Sequence, residues 1–171
     1  MPPGFTLRPA TESDLPAIVA IYNATIPGRM VTADIEPVTV ASRAKWFKSH
    51  NSRTRPLWVV GDDRDGGKVC AWLSFNSFHS RPAYAGTAEI SLYVADSHRR
   101  RGLGRALLQT AVDQAPACAV STLVGLIWAH NAPSRRLFAQ FGFADWGHLP
   151  RVAVLDGIDR DLIIVGKRVT D

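Results

Sequence analysis

With 171 residues, 46% apolar and 20% charged, the chain has the size and composition of one compact folded domain, residues 1–171. No run of roughly 18 to 20 uninterrupted apolar residues occurs, which excludes a helical membrane span. The opening MPPGFTLRPA lacks the basic-then-apolar order of a secretory signal, so a cytoplasmic location is expected. A formal charge of +5 and a pI near 9.7 suit an anionic partner, nucleic acid or a polyphosphate, without choosing between them.

The chain reads as alternating strands and helices. Phe5 to Arg8 alternates in period two and meets Pro9, after which Thr11 to Asp14 offers capping oxygens to a helix carrying Leu15, Ile18, Val19 and Tyr22. A second helix is expected from about Val40 to His50. Leu57–Val60 and Val69–Phe75 read as strands across the turn Gly61 to Gly67. Thr87 to Val94 puts Ala88, Ile90, Leu92 and Val94 on one face and Glu89, Ser91 and Tyr93 on the other. Leu103, Leu107, Leu108, Ala111 and Val112 then mark a helix that stops near Pro116, and Val120 to Trp128 is a further strand. Asn131 caps a helix with Leu137, Phe138 and Phe141 on its apolar stripe, and Leu162 to Val165 is the last strand.

Between a strand and a helix stands Arg99-Arg100-Arg101-Gly102-Leu103-Gly104-Arg105. Unpaired N–H groups at a helix start attract phosphate, glycine lets the main chain approach, and arginine adds charge-assisted bonds. This is the equipment of a pyrophosphate-binding loop. A solvated basic turn is the bland reading, and the glycines and helix that follow count against it. Neither G-x-G-x-x-G nor a P-loop is present. His50, His79, His98, His130 and His148 show no ligand spacing, and Cys70 and Cys118 stand far apart, so no metal and no disulfide is expected.

Arg99-x-x-Gly102-x-Gly104 resembles the acetyl-CoA loop of the GNAT superfamily, Q/R-x-x-G-x-G/A. LRPATESDL, AEISLYV and HNAPSRRLFAQFGF extend the resemblance over nearly the whole chain, in family order. Arg81-Pro82-Ala83-Tyr84 and the A-E-x-x-x-Y-V strand look like the branch of phosphinothricin and methionine sulfoximine acetyltransferases. The resemblance implies an α/β (α+β) GNAT fold, a central mixed, mostly antiparallel sheet flanked by helices, its strands splayed into an acetyl-CoA cleft. It implies an acetyl-CoA-dependent N-acetyltransferase, commonly a homodimer, acting on the primary amine of a small amino acid. Main-chain groups of Leu92, Tyr93 and Val94 would pair with the pantetheine arm, Arg100 to Arg105 would hold the pyrophosphate within an acetyl-CoA-binding segment that begins at Arg99, and Asn131 with Ser134 would contact the pantetheine. Glu89 matches the general base, and Arg81 is the candidate anchor for the acceptor carboxylate. On the strand preceding Arg81, Trp72 and Phe75 would flank the acceptor.

Two departures stand out. Phe138 fills a position where many members carry a tyrosine general acid, so Tyr93 or water serves as proton donor or the thiolate leaves unassisted. Leu155-Asp156 stands where herbicide-detoxifying members carry Lys-His. The alternatives are acetylation of a protein terminus or polyamine, CoA binding without turnover, or a basic nucleic-acid-binding module. The last lacks aromatics interleaved with its basic residues.

Overall fold

The computed structural model describes residues 1–170. β1 (Phe5–Pro9) turns through one 3-10 turn into α1 (Leu15–Asn23). Asp14 fixes that entry, accepting from the Thr11 main-chain N–H at 2.8 Å and from both ends of the Arg8 guanidinium at 2.6 and 2.7 Å. These bonds, the arginine's foremost, hold the Asp14 carboxyl down at about 2. A long loop, 24–39, leads to α2 (Val40–Lys48), whose first turn is capped by the Thr39 hydroxyl accepting from Ser42 N–H at 3.1 Å. β2 (Leu57–Asp62), β3 (Lys68–Ser77) and β4 (Thr87–Val94) follow as an antiparallel meander, then α3 (Leu103–Gln114), β5 (Thr122–Trp128), α4 (Ala132–Gln140), β6 (Ala144–Leu155) and β7 (Ile158–Arg168).

The strands form one seven-stranded sheet ordered β1-β2-β3-β4-β5-β7-β6, antiparallel everywhere except at β4–β5. Strand alternation sorts the core into two layers. Leu73, Phe75, Ala88 and Ile90 meet Leu103, Leu107, Leu108 and Ala111 of α3 and Phe138 of α4. Leu57, Val59 and Trp72 meet Ile18 and Ile21 of α1, with Trp46 and Phe47 of α2. Full burial of a leucine such as Leu107 or Leu108 is worth about 1.5–3 kcal/mol, so α3 is the principal anchor of the first layer.

Two strands differ from expectation. β7 runs well beyond Leu162–Val165, and its partner β6 is absent from the sequence reading altogether. β6 is an edge strand, exposed along most of its length and broken by register shifts near Gly147 and Pro150, so it lacks the clean apolar alternation that marks a strand.

Candidate active site

The single parallel junction shapes the site. β4 and β5 are in register only at Thr87, Ala88 and Glu89 against Thr122, Leu123 and Val124. Beyond that point β4 follows β3 up to Val94 and β5 follows β7 up to Trp128, so the strands part. Leu92 and Tyr93 line one side of the resulting cleft, Gly125, Leu126 and Ile127 the other, and Asn131, Ser134 and Phe138 of the α4 region close it. Main-chain groups of Ile90 to Val94 that face away from β3 have no strand partner. An extended amide-bearing ligand can supply one.

A second space, about 350 Å³, opens on the α1–α2 face of the same strands. Trp72, Ser74 and Asn76 of β3 and Glu89, Ser91 and Tyr93 of β4 form its floor, while Tyr22, Val38, Arg43 and Trp46 form its walls. Glu89, Ser91 and Tyr93 border both spaces. Glu89 therefore stands at the fork, on the last β4 position paired with β5. Burial pushes its carboxyl above the usual carboxylate range, with no opposing partner. Tyr93 stacks on Trp72, ring centroids 4.4 Å apart, and burial raises its phenol so that it keeps its proton at neutral pH. Trp46 Nε1 donates to Asn76 Oδ1 at 3.1 Å, which fastens α2 to the β3 residue opposite Glu89.

The basic segment lies where β4 hands over to α3. Gly102 is the N-cap of α3 with φ +81°, and Arg100 also takes a left-handed φ of 61°. These conformations turn the chain so that the first N–H groups of α3 are left without helical partners. A Cβ on Gly102 would meet only Pro2 Cγ, at 3.6 Å. Leu103 is 1% exposed, so its side chain belongs to the core and only its main chain can serve a ligand. Arg99 pairs with Asp96 at 2.7 Å, Arg101 lies 3.9 Å from Asp62, and Arg105 reaches α4, donating to Gln140 Oε1 at 3.0 Å. Arg100 forms no ion pair among the described residues.

Asp62, which the sequence reading passed over, is the strut beneath this loop. Its buried carboxylate accepts from Arg64 at 2.8 Å and lies 3.2 Å from His98 Nε2. The Arg64 bonds, foremost, hold it well below the ordinary carboxylate range.

Other expected residues are placed differently. Phe75 is a correction: it is fully buried among α3 residues, on the opposite face of β3 from the cavity. Trp72 and Phe75 are three positions apart, and in period two an odd spacing sends side chains to opposite faces, so only Trp72 flanks the cavity. Arg81 is exposed in the β3–β4 loop, outside the lining of the cavity in its own chain. Asn131 does cap α4, Oδ1 accepting from Ser134 N–H at 3.2 Å, and its Nδ2 donates to Met30 O at 2.7 Å. Both ends of that side chain thus tie the 24–39 loop to α4. Asp156 is held by Arg29 at 2.8 Å, a further tie on the same loop. No cluster of metal-ligating side chains occurs among the described residues, and none of their helices is long and apolar enough to cross a membrane.

Comparison with known proteins agrees with this architecture. The model of the Acetyltransferase (GNAT) family matches residues 18–143. The chain is 48% identical to the Bacillus subtilis (strain 168) protein named "Putative phosphinothricin acetyltransferase YwnH", over 96% of this chain and 99% of that one. It is 33% identical to the L-methionine sulfoximine/L-methionine sulfone acetyltransferase of Pseudomonas aeruginosa, covering 86% of this chain and 84% of the relative. The crystal structure of a phosphinothricin acetyltransferase from Sinorhizobium meliloti in complex with AcCoA superposes with a TM-score of 0.90 at 26% identity, over 98% of this chain and 89% of the other. A cleft between diverging strands, an arginine–glycine loop at a helix start and a family match across most of the chain agree: the chain belongs to the acetyltransferase (GNAT) family.

Proposed function

We propose that the protein transfers the acetyl group of acetyl-CoA to the α-amine of a small amino acid or analogue of the phosphinothricin or methionine sulfoximine type, with Glu89 as general base. The observation that carries this reading is Glu89 at the fork, bordering both the cleft and the cavity. The residues fit the co-substrate: unpaired main chain on β4 suits the amides of pantetheine, and the open N-terminus of α3 behind Gly102 suits its pyrophosphate. Acetyl-CoA, when bound, supplies a thioester carbonyl carbon.

The chain's own groups divide the remaining work. Glu89, directly or through a water, takes a proton from the acceptor ammonium, which frees the nitrogen lone pair for attack. Main-chain N–H groups of Leu92 to Val94 polarise the carbonyl oxygen. As the new C–N bond forms and the C–S bond breaks, Tyr93 or water returns a proton to the departing sulfur. A thiolate leaves readily enough to do without a stronger acid, which suits a chain with Phe138 where a tyrosine would stand.

The relatives' names motivate the acceptor class, since they specify phosphinothricin in one case and L-methionine sulfoximine or sulfone in the other. The reading also takes the protein to be a cytoplasmic homodimer with its basic loop committed to the polyphosphate. Sedimentation tests the dimer, and titration with oligonucleotides tests the commitment of the loop. Thiol release from acetyl-CoA, measured over a panel of amino acids, peptides and polyamines, tests the reaction. Activity on several free amino acids is expected, and turnover confined to peptides or polyamines would refute the assignment.

A further inference from the structure

Resting on the amino-acid reading above, we infer that Arg43 is the group that receives the acceptor's carboxylate and thereby selects amino acids over plain amines. Among the described residues lining the cavity, Glu89 carries the one negative charge and Arg43 the one positive charge. An α-amino acid has the same polarity in reverse, ammonium and carboxylate on one carbon. A polyamine would instead bring a second cation towards a guanidinium.

The fold holds Arg43 ready for that role. α2 is fastened beside Glu89 through Trp46 and Asn76, and Arg43 precedes Trp46 by three residues, so both project from one face of the helix into the same cavity. Arg43 Nη2 donates to Asp34 Oδ2 at 2.8 Å, and its guanidinium carbon lies 4.8 Å from the centroid of the Tyr22 ring. Asp34 is itself steadied by the Tyr22 hydroxyl, which donates to the same carboxylate oxygen at 2.5 Å. One nitrogen is thereby spent on orientation, and the remaining N–H donors have no partner among the described residues. The side chain is 29% exposed, so its charge has lost part of its water without losing access to the cavity. A fixed planar fork with unused donors is the geometry that carboxylates bind in two-point fashion. Arg81, exposed and outside the cavity lining of its own chain, lacks these supports.

The test pairs a protein change with a ligand change. L-methionine sulfone and its carboxamide, which lacks the carboxylate, are assayed with the native protein and with Arg43→Gln. A charge-assisted bond of this kind corresponds to roughly tenfold to a hundredfold in affinity. The native protein should prefer the acid by about that factor in kcat/KM. In the variant the preference should collapse towards unity, through KM for the acid far more than through kcat. The two ligands differ in amine pKa, but that difference is common to both proteins and cancels in the comparison. Acid and amide declining together, or an acid preference that survives Arg43→Gln, would overturn the assignment. If that variant does not fold, Arg43→Lys serves, because an ammonium keeps the charge but cannot bind Asp34 and a carboxylate as a fork. It should lose part of the preference, and full retention would count against Arg43. Absence of native turnover on either ligand and on every other amino acid would remove the amino-acid reading itself, an outcome distinct from an acid preference indifferent to Arg43.

Discussion

Glu89→Gln removes the proposed base while keeping the size of the side chain and its place at the fork. Its magnitude can be worked from the surroundings of the group. Glu89 has burial but no compensating partner, so the charged form is held at some cost for the sake of accepting a proton. Without it the reaction must wait for acceptor that arrives already deprotonated. For an amine of pKa about 9, that is about one molecule in a hundred at pH 7. Turnover should therefore fall by roughly a hundredfold or more at neutral pH, in the usual range for general-base catalysis. The deficit should shrink about tenfold per pH unit towards the amine's own pKa. Thiol release from pH 6 to 9.5, with acetyl-CoA binding followed by calorimetry, measures both halves. Acetyl-CoA affinity should hardly move. Stability should move the other way, because a carboxyl whose folded pKa is raised loses stability as pH rises from its unfolded pKa through its folded one. Glu89→Gln should accordingly melt no lower than the native protein at pH 7. Native turnover in the variant across this range would show that the proton leaves by another route.

Other expectations follow from single features. Gly102→Val should strain a backbone held at φ +81° by about 1–2 kcal/mol and weaken acetyl-CoA binding, while Gly102→Asn, whose side chain tolerates that conformation, should weaken binding at much smaller cost to stability. Unchanged acetyl-CoA affinity in both folded variants would refute the pyrophosphate loop. Asp14, held at about 2 against 3.8 unperturbed, should contribute about 2 kcal/mol at pH 6, a contribution lost as pH falls from about 5 to 2. Urea unfolding of Arg8→Ala, which leaves the Thr11 bonds to Asp14 in place, should reveal the larger part of that deficit at pH 6 and little of it near pH 2. Gly166→Ala would place a Cβ 2.0 Å from Trp146 Cε3, so the indole must leave its place over β7 or β6 must shift, and denaturation should show a loss of roughly 1–3 kcal/mol. Native stability in that variant would mean the indole swings aside freely.

The cofactor half of the site was legible because its information is local. The alternation of Thr87–Val94 assigns Glu89, Ser91 and Tyr93 to one face, and Gly102 follows the arginines where a helix begins. The acceptor half was not. Tyr22, Asp34, Arg43 and Asn76 come from separate elements, and only the packing of α1 and α2 on the sheet brings them together. No spacing announces them. Phe75 obeys strand parity, the same rule that sorts β4: an odd spacing from Trp72 turns it to the α3 face. Asp62 gave no sign because its role depends on His98 and Arg101, distant in sequence and adjacent only across the end of β2.

The parting of β4 from β5 has a mechanical consequence. Hydrogen-bond continuity across the sheet rests on a seam of three residue pairs, yet one apolar core runs unbroken from Phe5 and Val60 on one half to Ile163 and Val165 on the other. Cohesion between the halves is thus carried by side chains, and the backbone is already open where a ligand must enter. A pantetheine arm can slide in by exchanging water for amide partners, with no protein–protein bond to rupture first. Admission should then be as quick with a rigid sheet as with a supple one. The aftermath is what should register: amides of residues 90–94 that exchange with solvent freely in the empty protein should slow markedly once the seam is stitched.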